Sequence, residues 1–226
     1  MNLIHRLQDP DNPNSFVSRF RRRRSKYIRD LIETIFAETG RCRIIDLGGR
    51  EDYWRLFERA FLESRKVHIT LVNLEEMPAT ADPMFTLVAG SACDLAQFND
   101  GAFDLVHSNS VVEHVGDWDN VERFARETRR LAKRYYVQTP HMYFPVEPHF
   151  SALFFHWLPE SMRADILIRR KLGFMPGKAA DMGEAMRAVQ HARLLSKRMF
   201  RYLFEDAEHR DERFAGLTKS LIAIRA

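Results

Sequence analysis

An acidic residue and two glycines follow a short apolar run early in the chain. The segment RIIDLGGREDYW (43–54) places Asp46 shortly before Gly48 and Gly49, and a stretch typical of a helix follows. A parallel strand that ends at a glycine turn and leads into a helix leaves unpaired backbone N–H groups at the carboxyl edge of a sheet. The segment therefore predicts a binding site for a ligand with polar or charged groups. A pair of glycines alone is as typical of a simple tight turn.

The same kind of segment recurs along the chain. Four more apolar runs end in polar or acidic residues: HITLVNLE (68–75), FTLVAGSACDL (85–95), FDLVHSNSVVEHV (103–115) and RYYVQTP (134–140). Together the runs predict strands at 42–47, 68–73, 85–89, 103–108 and 134–138, and helices at 52–64 and 121–132. Strands that alternate with helices predict a parallel sheet with helices on both faces.

The pattern changes after Pro140, where aromatic and proline residues crowd the segment 141–159. Beyond it, helices are predicted at 160–172, at 184–195 and after Ser196, whose hydroxyl can cap a helix. A last strand is predicted near 218–224.

Together, the motifs from Arg43 to His149 resemble those of class I S-adenosylmethionine-dependent methyltransferases, with a weaker match at the C-terminal end. The resemblance implies an α/β fold with a Rossmann-like, mostly parallel seven-stranded sheet, helices on both faces and a hairpin of the last two strands. It also implies S-adenosyl-L-methionine as the cofactor. The glycine turn departs from the family pattern, because Arg50 and Asp52 stand where the family usually has glycines. The fingerprint G-x-G-x-x-G is absent, which disfavours a nicotinamide-dependent oxidoreductase.

The resemblance assigns the amino-acid and ribose ends of the cofactor to the first two strand ends. Asp46, with the backbone of Gly48 and Gly49, would hold the amino-acid end, through its carboxylate or through water. An acid at the end of the second strand would accept both ribose hydroxyls. Asn73 stands at the position where the family often has that acid, and Glu75 has the right charge two residues later. Glu75 is slightly favoured, and both remain candidates.

The next two strand ends would contact the adenine and the reaction centre. Asp94 matches the family's adenine acceptor, with backbone groups of Ala92 and Cys93 beside the ring. The alternative for Asp94 is a cap of a helix or turn. Ser108 and Asn109, at the end of the fourth strand, would lie over the reacting methyl group.

Three residues are candidates for catalysis: His114, Glu147 and His149. His114 follows the fourth strand, and a histidine titrates near neutral pH, although a ring packed on the sheet is the more common role there. Glu147 and His149 lie beyond the fifth strand, where the acceptor pocket of this family commonly opens, and either could remove a proton from an acceptor hydroxyl. The alternative is a rigid loop that only completes the core. The N/D-P-P-Y run of many nucleobase methylators is missing, which disfavours nucleic acid as acceptor.

Length and composition bound the remaining possibilities. With 226 residues, 45% of them apolar, the chain predicts one methyltransferase domain at 41–226 with an acceptor-side insertion at about 141–195, preceded by a basic arm and helix at 1–40. The start of the sequence lacks the apolar region of a signal peptide, so a cytoplasmic location is expected. Two cysteines and nine scattered histidines show no ligand spacing, so no metal site is predicted.

The positive charge is concentrated near the start of the chain. Residues 1–30 hold eight lysines and arginines against three acids, while the sequence pI is about 9.2. The segment Arg21–Lys26 is either the solvated lead of a helix packed beside the sheet or a contact for an anionic partner. A phosphorylated or lipid-linked substrate and an anionic membrane surface are the favoured partners. RNA is the least favoured, because few aromatic residues accompany the charges.

The sequence therefore predicts an enzyme that transfers a methyl group from S-adenosyl-L-methionine to an oxygen or carbon of a small-molecule, glycan or lipid-linked acceptor. The alternative is a non-catalytic protein of the same fold, in which Arg50 blocks the donor site and the basic arm binds an anionic partner. The oligomeric state is not indicated by the sequence.

Overall fold

Apolar runs rich in isoleucine, leucine and valine become the central strands of a seven-stranded sheet. The computed structural model describes residues 16–173 and 175–226. Its strands are β1 (Cys42–Leu47), β2 (Val67–Asn73), β3 (Phe85–Ala89), β4 (Leu105–Asn109), β5 (Arg134–Pro140), β6 (Val146–Glu147), β7 (Ala152–Leu153), β8 (Glu208–Phe214) and β9 (Leu217–Arg225). The order in the main sheet is β3-β2-β1-β4-β5-β9-β8, and β6 and β7 form a separate antiparallel pair.

The five strands β1 to β5 are parallel, and β9 runs antiparallel to both of its neighbours, β5 and β8. This arrangement confirms the predicted fold class, a mostly parallel seven-stranded sheet that ends in a hairpin. Crossovers between parallel strands bring the strand ends and their loops to one edge of the sheet, where open α/β folds bind ligands.

The described part of the chain contains seven helices. They are α1 (Phe16–Thr39), α2 (Glu51–Trp54), α3 (Arg59–Ser64), α4 (Trp118–Leu131), α5 (Glu160–Arg169), α6 (Met182–Gln190) and α7 (Lys197–Leu203), with short 3₁₀ helices at Val112–His114 and Phe155–Trp157. The helix predicted at 52–64 is divided into α2 and α3. Trp54 and Phe57 are both buried and their rings stack, so packing against the core breaks a segment that contains no proline or glycine.

Each face of the sheet has its own apolar core. On one face α1 buries Ile28, Ile32 and Ile35 completely, beside the aromatic residues of α2 and α3. On the other face α4 buries Phe124 against the helix α7. A fully buried side chain of this size contributes about 1.5–3 kcal/mol, so these faces fix the sheet and the edge it presents.

A third apolar cluster lies between α5 and α6, within the segment predicted as an insertion at 141–195. The first part of the predicted basic arm, residues 1–15, lies outside the described residues. The division of the chain into an arm at 1–40 and a domain at 41–226 stays a prediction. None of the helices in the described part of the chain combines the length and apolar character that a membrane span requires.

Candidate active site

A cavity of about 490 Å³ opens at the carboxyl ends of β1 and β2, as predicted for a parallel sheet. We call it the first cavity. Among the residues that line it are five of the predicted cofactor-binding residues and one predicted catalytic residue: Gly48, Asn73, Glu75, Ala92, Cys93 and His114. Arg50 is exposed and does not line this cavity, so its side chain leaves the cavity open.

The glycine turn needs both of its glycines for space. Gly48 has a φ of +70°, and a Cβ added there would lie within 2.9 Å of both γ-carbons of Val111. A Cβ on Gly49 would collide with the Asp46 side chain. The Gly48 N–H donates to the Val72 carbonyl and the Gly49 N–H to the Asp46 carbonyl. The predicted contact of these amides with the amino-acid end of a cofactor stays a prediction.

Asp46 lies beneath the turn and is 1% exposed. One of its carboxylate oxygens accepts a hydrogen bond from Trp54 Nε1 at 2.9 Å, and the other lies 2.6 Å from His107 Nδ1. Its carboxylate thus holds the base of the turn and does not line the cavity. The sequence prediction did not include His107, although Asp46 and His107 are direct neighbours in the β1–β4 register.

The remaining predicted cofactor residues lie at strand ends with different exposure. Asn73 donates through Nδ2 to the Gly49 carbonyl at 2.8 Å, while Glu75 is exposed at the mouth of the cavity. Asp94 is exposed and its N–H closes a turn on the Ser91 carbonyl. Ser108 is buried and donates to the Leu47 carbonyl at 3.1 Å.

Asn109 ends β4, and its buried Oδ1 has no hydrogen-bond partner among the residues that the structure describes. Neither Asp94 nor the Ser108–Asn109 pair lines the first cavity. The cofactor-binding roles of all three stay predictions.

A second cavity, of about 820 Å³, lies beside the third apolar cluster. Its apolar lining includes Met142, Phe150 and Val189. Its polar lining includes Glu147, His149, His156, Arg163 and His191. Two of the predicted catalytic residues, Glu147 and His149, are therefore here. Arg163 and His191 were not singled out from the sequence, because they lie on segments without a recognisable motif.

The two cavities meet at a contact between two histidines. Nε2 of His114, on the first cavity, lies 3.1 Å from Nε2 of His149, on the second. Nδ1 of His114 lies 3.1 Å from the backbone carbonyl of His191, and Nδ1 of His149 lies 2.7 Å from a Glu147 oxygen. A carbonyl or carboxylate oxygen only accepts, so both Nδ1 atoms carry the hydrogen. The structure thus brings together the three predicted catalytic residues, His114, Glu147 and His149.

Glu113 completes this group of polar side chains. It is 1% exposed, and its Oε2 accepts a hydrogen bond from Thr139 Oγ1 at 2.9 Å. Its Oε1 is buried and has no hydrogen-bond partner among residues 16–173 and 175–226. Single donor atoms of Glu113, His114 and His149 all lie within 4.8 Å of one another.

Burial and charge shift the pKa values in this cluster in opposite directions. Burial raises the pKa of Glu113 to about 7, and burial together with the neighbouring His149 lowers the pKa of His114 to about 4. Burial also disfavours the charged form of His149, but the hydrogen bond and charge of Glu147 outweigh it and raise the pKa of His149. At neutral pH His114 is therefore uncharged, while the carboxylate of Glu147 favours the protonated form of His149.

The basic segment Arg21–Lys26 lies on α1, which precedes all the residues of the two cavities in the sequence. Arg24 is 6% exposed and pairs with the buried Glu212 at 3.7 Å, so it belongs to the interior. Arg22, Arg23 and Lys26 are exposed. A contact of this segment with an anionic partner stays a prediction.

Comparison with known proteins agrees with this geometry. Residues 49–135 match the family model described as a methyltransferase domain. A search of curated proteins finds no significant match.

Among solved structures, the chain is similar to the 1,6-didemethyltoxoflavin-N1-methyltransferase of Burkholderia thailandensis, at 16% identity and a TM-score of 0.50 over 88% of this chain and 78% of that one. It is also similar to a methyltransferase of Methanosarcina mazei, at 13% identity and a TM-score of 0.49 over 81% of this chain and 91% of that one. A third is an O-methyltransferase family protein of Burkholderia thailandensis, at 16% identity and a TM-score of 0.47 over 91% of this chain and 57% of that one.

The matched residues run from the glycine turn through β4 to the start of β5, which is the part of the sheet that surrounds the first cavity. The fold, the domain match and the motifs thus agree, and the family and cofactor expected from the sequence are confirmed. Residues 49–135 thus match a methyltransferase domain, in agreement with the class I S-adenosylmethionine-dependent family expected from the sequence.

Proposed function

We propose that the protein transfers a methyl group from S-adenosylmethionine in the first cavity to an oxygen atom of a small-molecule acceptor in the second cavity. The observation that carries this proposal is the contact of His114 with His149, because it joins the wall of one cavity to the wall of the other. A donor and an acceptor bound on either side would meet at these two rings. A carbon acceptor and glycan or lipid-linked acceptors are the related possibilities that the assay below includes.

The first cavity fits the cofactor on three grounds. Its volume of about 490 Å³ lies in the range of small-molecule sites. Gly48 and Val111, which lie in close contact, both line the cavity, so the backbone of the glycine turn itself forms part of its wall. The lining also offers polar groups at separate points, among them the exposed Glu75 and the backbone at Ala92 and Cys93.

We assign the ribose to Glu75 in preference to Asn73. The side-chain amide of Asn73 already donates to the Gly49 carbonyl and so supports the turn. Glu75 has no such partner in the described part of the chain and can accept from two hydroxyls. The proposed adenine contacts are Asp94 with Ala92 and Cys93.

At the other end of the cofactor we place the Gly48–Gly49 turn, which Asp46 supports from beneath, and near the methyl group Ser108 and Asn109. When bound, S-adenosylmethionine supplies the methyl group from its sulfonium centre.

The residues at the boundary would hold the acceptor and take its proton. His149 presents the lone pair of Nε2, because its Nδ1 donates to Glu147. A neutral histidine with a free Nε2 can accept a proton from a hydroxyl, and such general-base catalysis contributes roughly 10²–10⁴-fold. Glu147 is 4% exposed and positions the ring of His149. The Burkholderia enzyme with the same fold was solved with a small molecule and S-adenosylhomocysteine bound, which supports a small-molecule acceptor.

The first test is calorimetric titration with S-adenosylhomocysteine. Wild-type protein should bind in the micromolar range, and Glu75→Ala should bind at least tenfold more weakly. The neighbouring Glu76→Ala serves as the matched control, since Glu76 is equally exposed but does not line the first cavity. Absence of binding to the wild-type protein would refute the donor site.

Acceptors are then screened with methyl-labelled S-adenosylmethionine and mass spectrometry of the products. Phenols, other hydroxylated small molecules, carbon nucleophiles, glycans and lipid-linked glycans form separate groups of the screen. His149→Ala should lower kcat with the best acceptor by about 10²-fold or more, as expected for loss of a general base. Full activity in this variant would refute the proposed role of His149.

A further inference from the structure

Three atoms with free electron pairs converge at the wall between the two cavities. One ligand atom from each of Glu113, His114 and His149 lies within 4.8 Å of the other two, and the Nε2 atoms of the two histidines are 3.1 Å apart. Glu113 and His114 lie on the 3₁₀ helix that follows β4, and His149 lies in the loop after β6. The spacing along the chain therefore gave no sign of a shared site.

Hydrogen bonds fix the orientation of both rings. His114 Nδ1 faces the His191 carbonyl at 3.1 Å, and His149 Nδ1 faces Glu147 at 2.7 Å. When both histidines are neutral, each Nδ1 carries its hydrogen, so both Nε2 atoms present lone pairs to each other at 3.1 Å. A pair of lone pairs at this distance is repulsive unless a proton or a cation lies between them.

Glu113 supplies the third ligand atom and the charge. Its Oε1 is fully buried and no described residue hydrogen-bonds it, although a buried carboxylate oxygen normally has a partner. Glu147 places a second buried carboxylate on the far side of His149, at 4% exposure. A divalent cation between the two imidazoles would balance the charge of these carboxylates when both are ionised.

We propose that Glu113, His114 and His149 bind a divalent transition-metal ion, with zinc as the best chemical match. One carboxylate and two imidazoles are a ligand set that zinc uses in catalytic sites, where it keeps a further position open. The histidine nitrogens lie 3.1 Å apart, close to the roughly 3.3 Å expected between two ligands of a tetrahedral zinc ion with Zn–N distances near 2.0 Å.

The arrangement around the ligands is also that of a metal site. Metal-binding histidines usually donate their other ring N–H to a carboxylate or a backbone carbonyl. His149 does so to Glu147 and His114 does so to the carbonyl of His191. The 4.8 Å limit that includes Glu113 is longer than the separation of two ligands on one zinc ion, so its carboxylate would have to move closer to the two histidines to complete the site.

The role of this ion rests on the proposed function, whereas its binding does not. An ion held between a residue of the first cavity and a residue of the second would have its open position where the acceptor oxygen is proposed to lie. There it would lower the pKa of the acceptor hydroxyl, and the released proton would pass to solvent. With the ion bound, Nε2 of His149 is a ligand, so the ion takes over the task of His149 as general base.

The test starts with the metal-free full-length protein, obtained by dialysis against EDTA. Calorimetric titration with zinc chloride should show one ion bound per chain with a dissociation constant below about 1 µM. His114→Gln and His149→Gln should each weaken zinc binding at least 100-fold, and Glu147→Gln about tenfold because it only orients His149. His191→Gln is the matched control: its ring touches His114, but its backbone carbonyl makes the hydrogen bond, so zinc affinity should stay the same.

Far-ultraviolet circular dichroism and a thermal melt check that each variant is folded. Absence of stoichiometric binding of Zn²⁺, Mn²⁺ or Fe²⁺ to the wild-type protein would overturn the proposal. Equal affinity in the variant that carries both His114→Gln and His149→Gln would overturn it as well.

A titration of the metal-free protein with S-adenosylhomocysteine separates this proposal from the proposed function. If the cofactor product binds and zinc does not, the metal site is wrong and the methyltransferase site stands. If zinc binds as expected and S-adenosylhomocysteine does not, the metal site stands and the proposed donor site is wrong.

Discussion

Substitution of Gly48 by alanine should destabilise the fold in two separable ways, through the backbone conformation and through crowding of the added methyl group. In Gly48→Ala the new Cβ must accept a φ of +70° and lie within 2.9 Å of both γ-carbons of Val111. Real Cβ atoms do not come that close to another carbon, so something must shift. Val111 is branched at Cβ and has few alternative rotamers, so the turn itself would have to move.

Gly40 provides the matched control for the first part of the cost. Its φ is +71°, and a Cβ added there would have nothing within 4 Å. Gly40→Ala should therefore lower the free energy of unfolding only through the left-handed backbone conformation, by about 1–2 kcal/mol. Both substitutions restrict the unfolded chain equally, so that contribution cancels between them. Gly48→Ala adds an overpacking cost of about 1–3 kcal/mol and should lose roughly 2–5 kcal/mol in all.

Urea unfolding of the wild type and the two variants measures these losses. The double variant Gly48→Ala with Val111→Ala should recover the overpacking part. Calorimetry with S-adenosylhomocysteine should show at least tenfold weaker binding to Gly48→Ala, because Gly48 and Val111 both line the first cavity, and unchanged binding to Gly40→Ala. If Gly48→Ala proves as stable as Gly40→Ala and binds as tightly as the wild type, the space requirement at the turn is wrong.

Three further predictions concern the interior. Trp54→Phe removes the indole N–H that donates to Asp46 and should cost about 1.5–3 kcal/mol in urea unfolding, and an unchanged midpoint would show that this bond contributes nothing. Phe124→Ala empties part of the core beneath α4 and should cost about 3–5 kcal/mol in the same assay; a loss below 1 kcal/mol would mean that the core closes around the gap. Burial lowers the pKa of Lys219 to about 8 in the folded protein. Between pH 8 and the ordinary pKa of lysine, the unfolded chain therefore binds a proton that the folded chain lacks. The free energy of unfolding should rise with pH across that range. Lys219→Met should remove this pH dependence. It should also raise the free energy of unfolding at pH 7 by about 1–3 kcal/mol, which is the free energy of the pKa shift minus that of the lost cation–π contact with Phe20. Equal stability of variant and wild type at pH 7 would count against this prediction.

The sequence predicted the parallel part of the sheet well, because its strands are continuous apolar runs with polar ends. The segment 42–47 is a strand in the prediction and in the structure alike. The strand β8 was expected only through the family resemblance. Its sequence EHRDERF is almost entirely charged, since β8 is an edge strand that buries one residue, Glu212, and leaves most others exposed.

The sequence predicted which residues belong to the candidate site, but it did not predict which of them are in contact. His114, Glu147 and His149 were each proposed from their positions after strands. Their meeting depends on how the loop after β4 and the segment after β5 fold against each other, and no periodicity encodes that. His107 could have been found, because a histidine within an apolar strand at the same level as Asp46 suggests a buried pair.

The position of β9 inside the sheet has a consequence for how the protein is made. Pro140 of β5 pairs with Ser220, so β5 gains its second neighbour only when the ribosome has added about 80 more residues. At 5–20 residues per second this takes roughly 4–16 s. During that time the backbone of β5 is an open edge beside the buried Tyr136 and Val137, the kind of edge that pairs with other chains. Removal of residues 217–225 would leave that edge open permanently, so a shortened chain should aggregate rather than fold with a missing end.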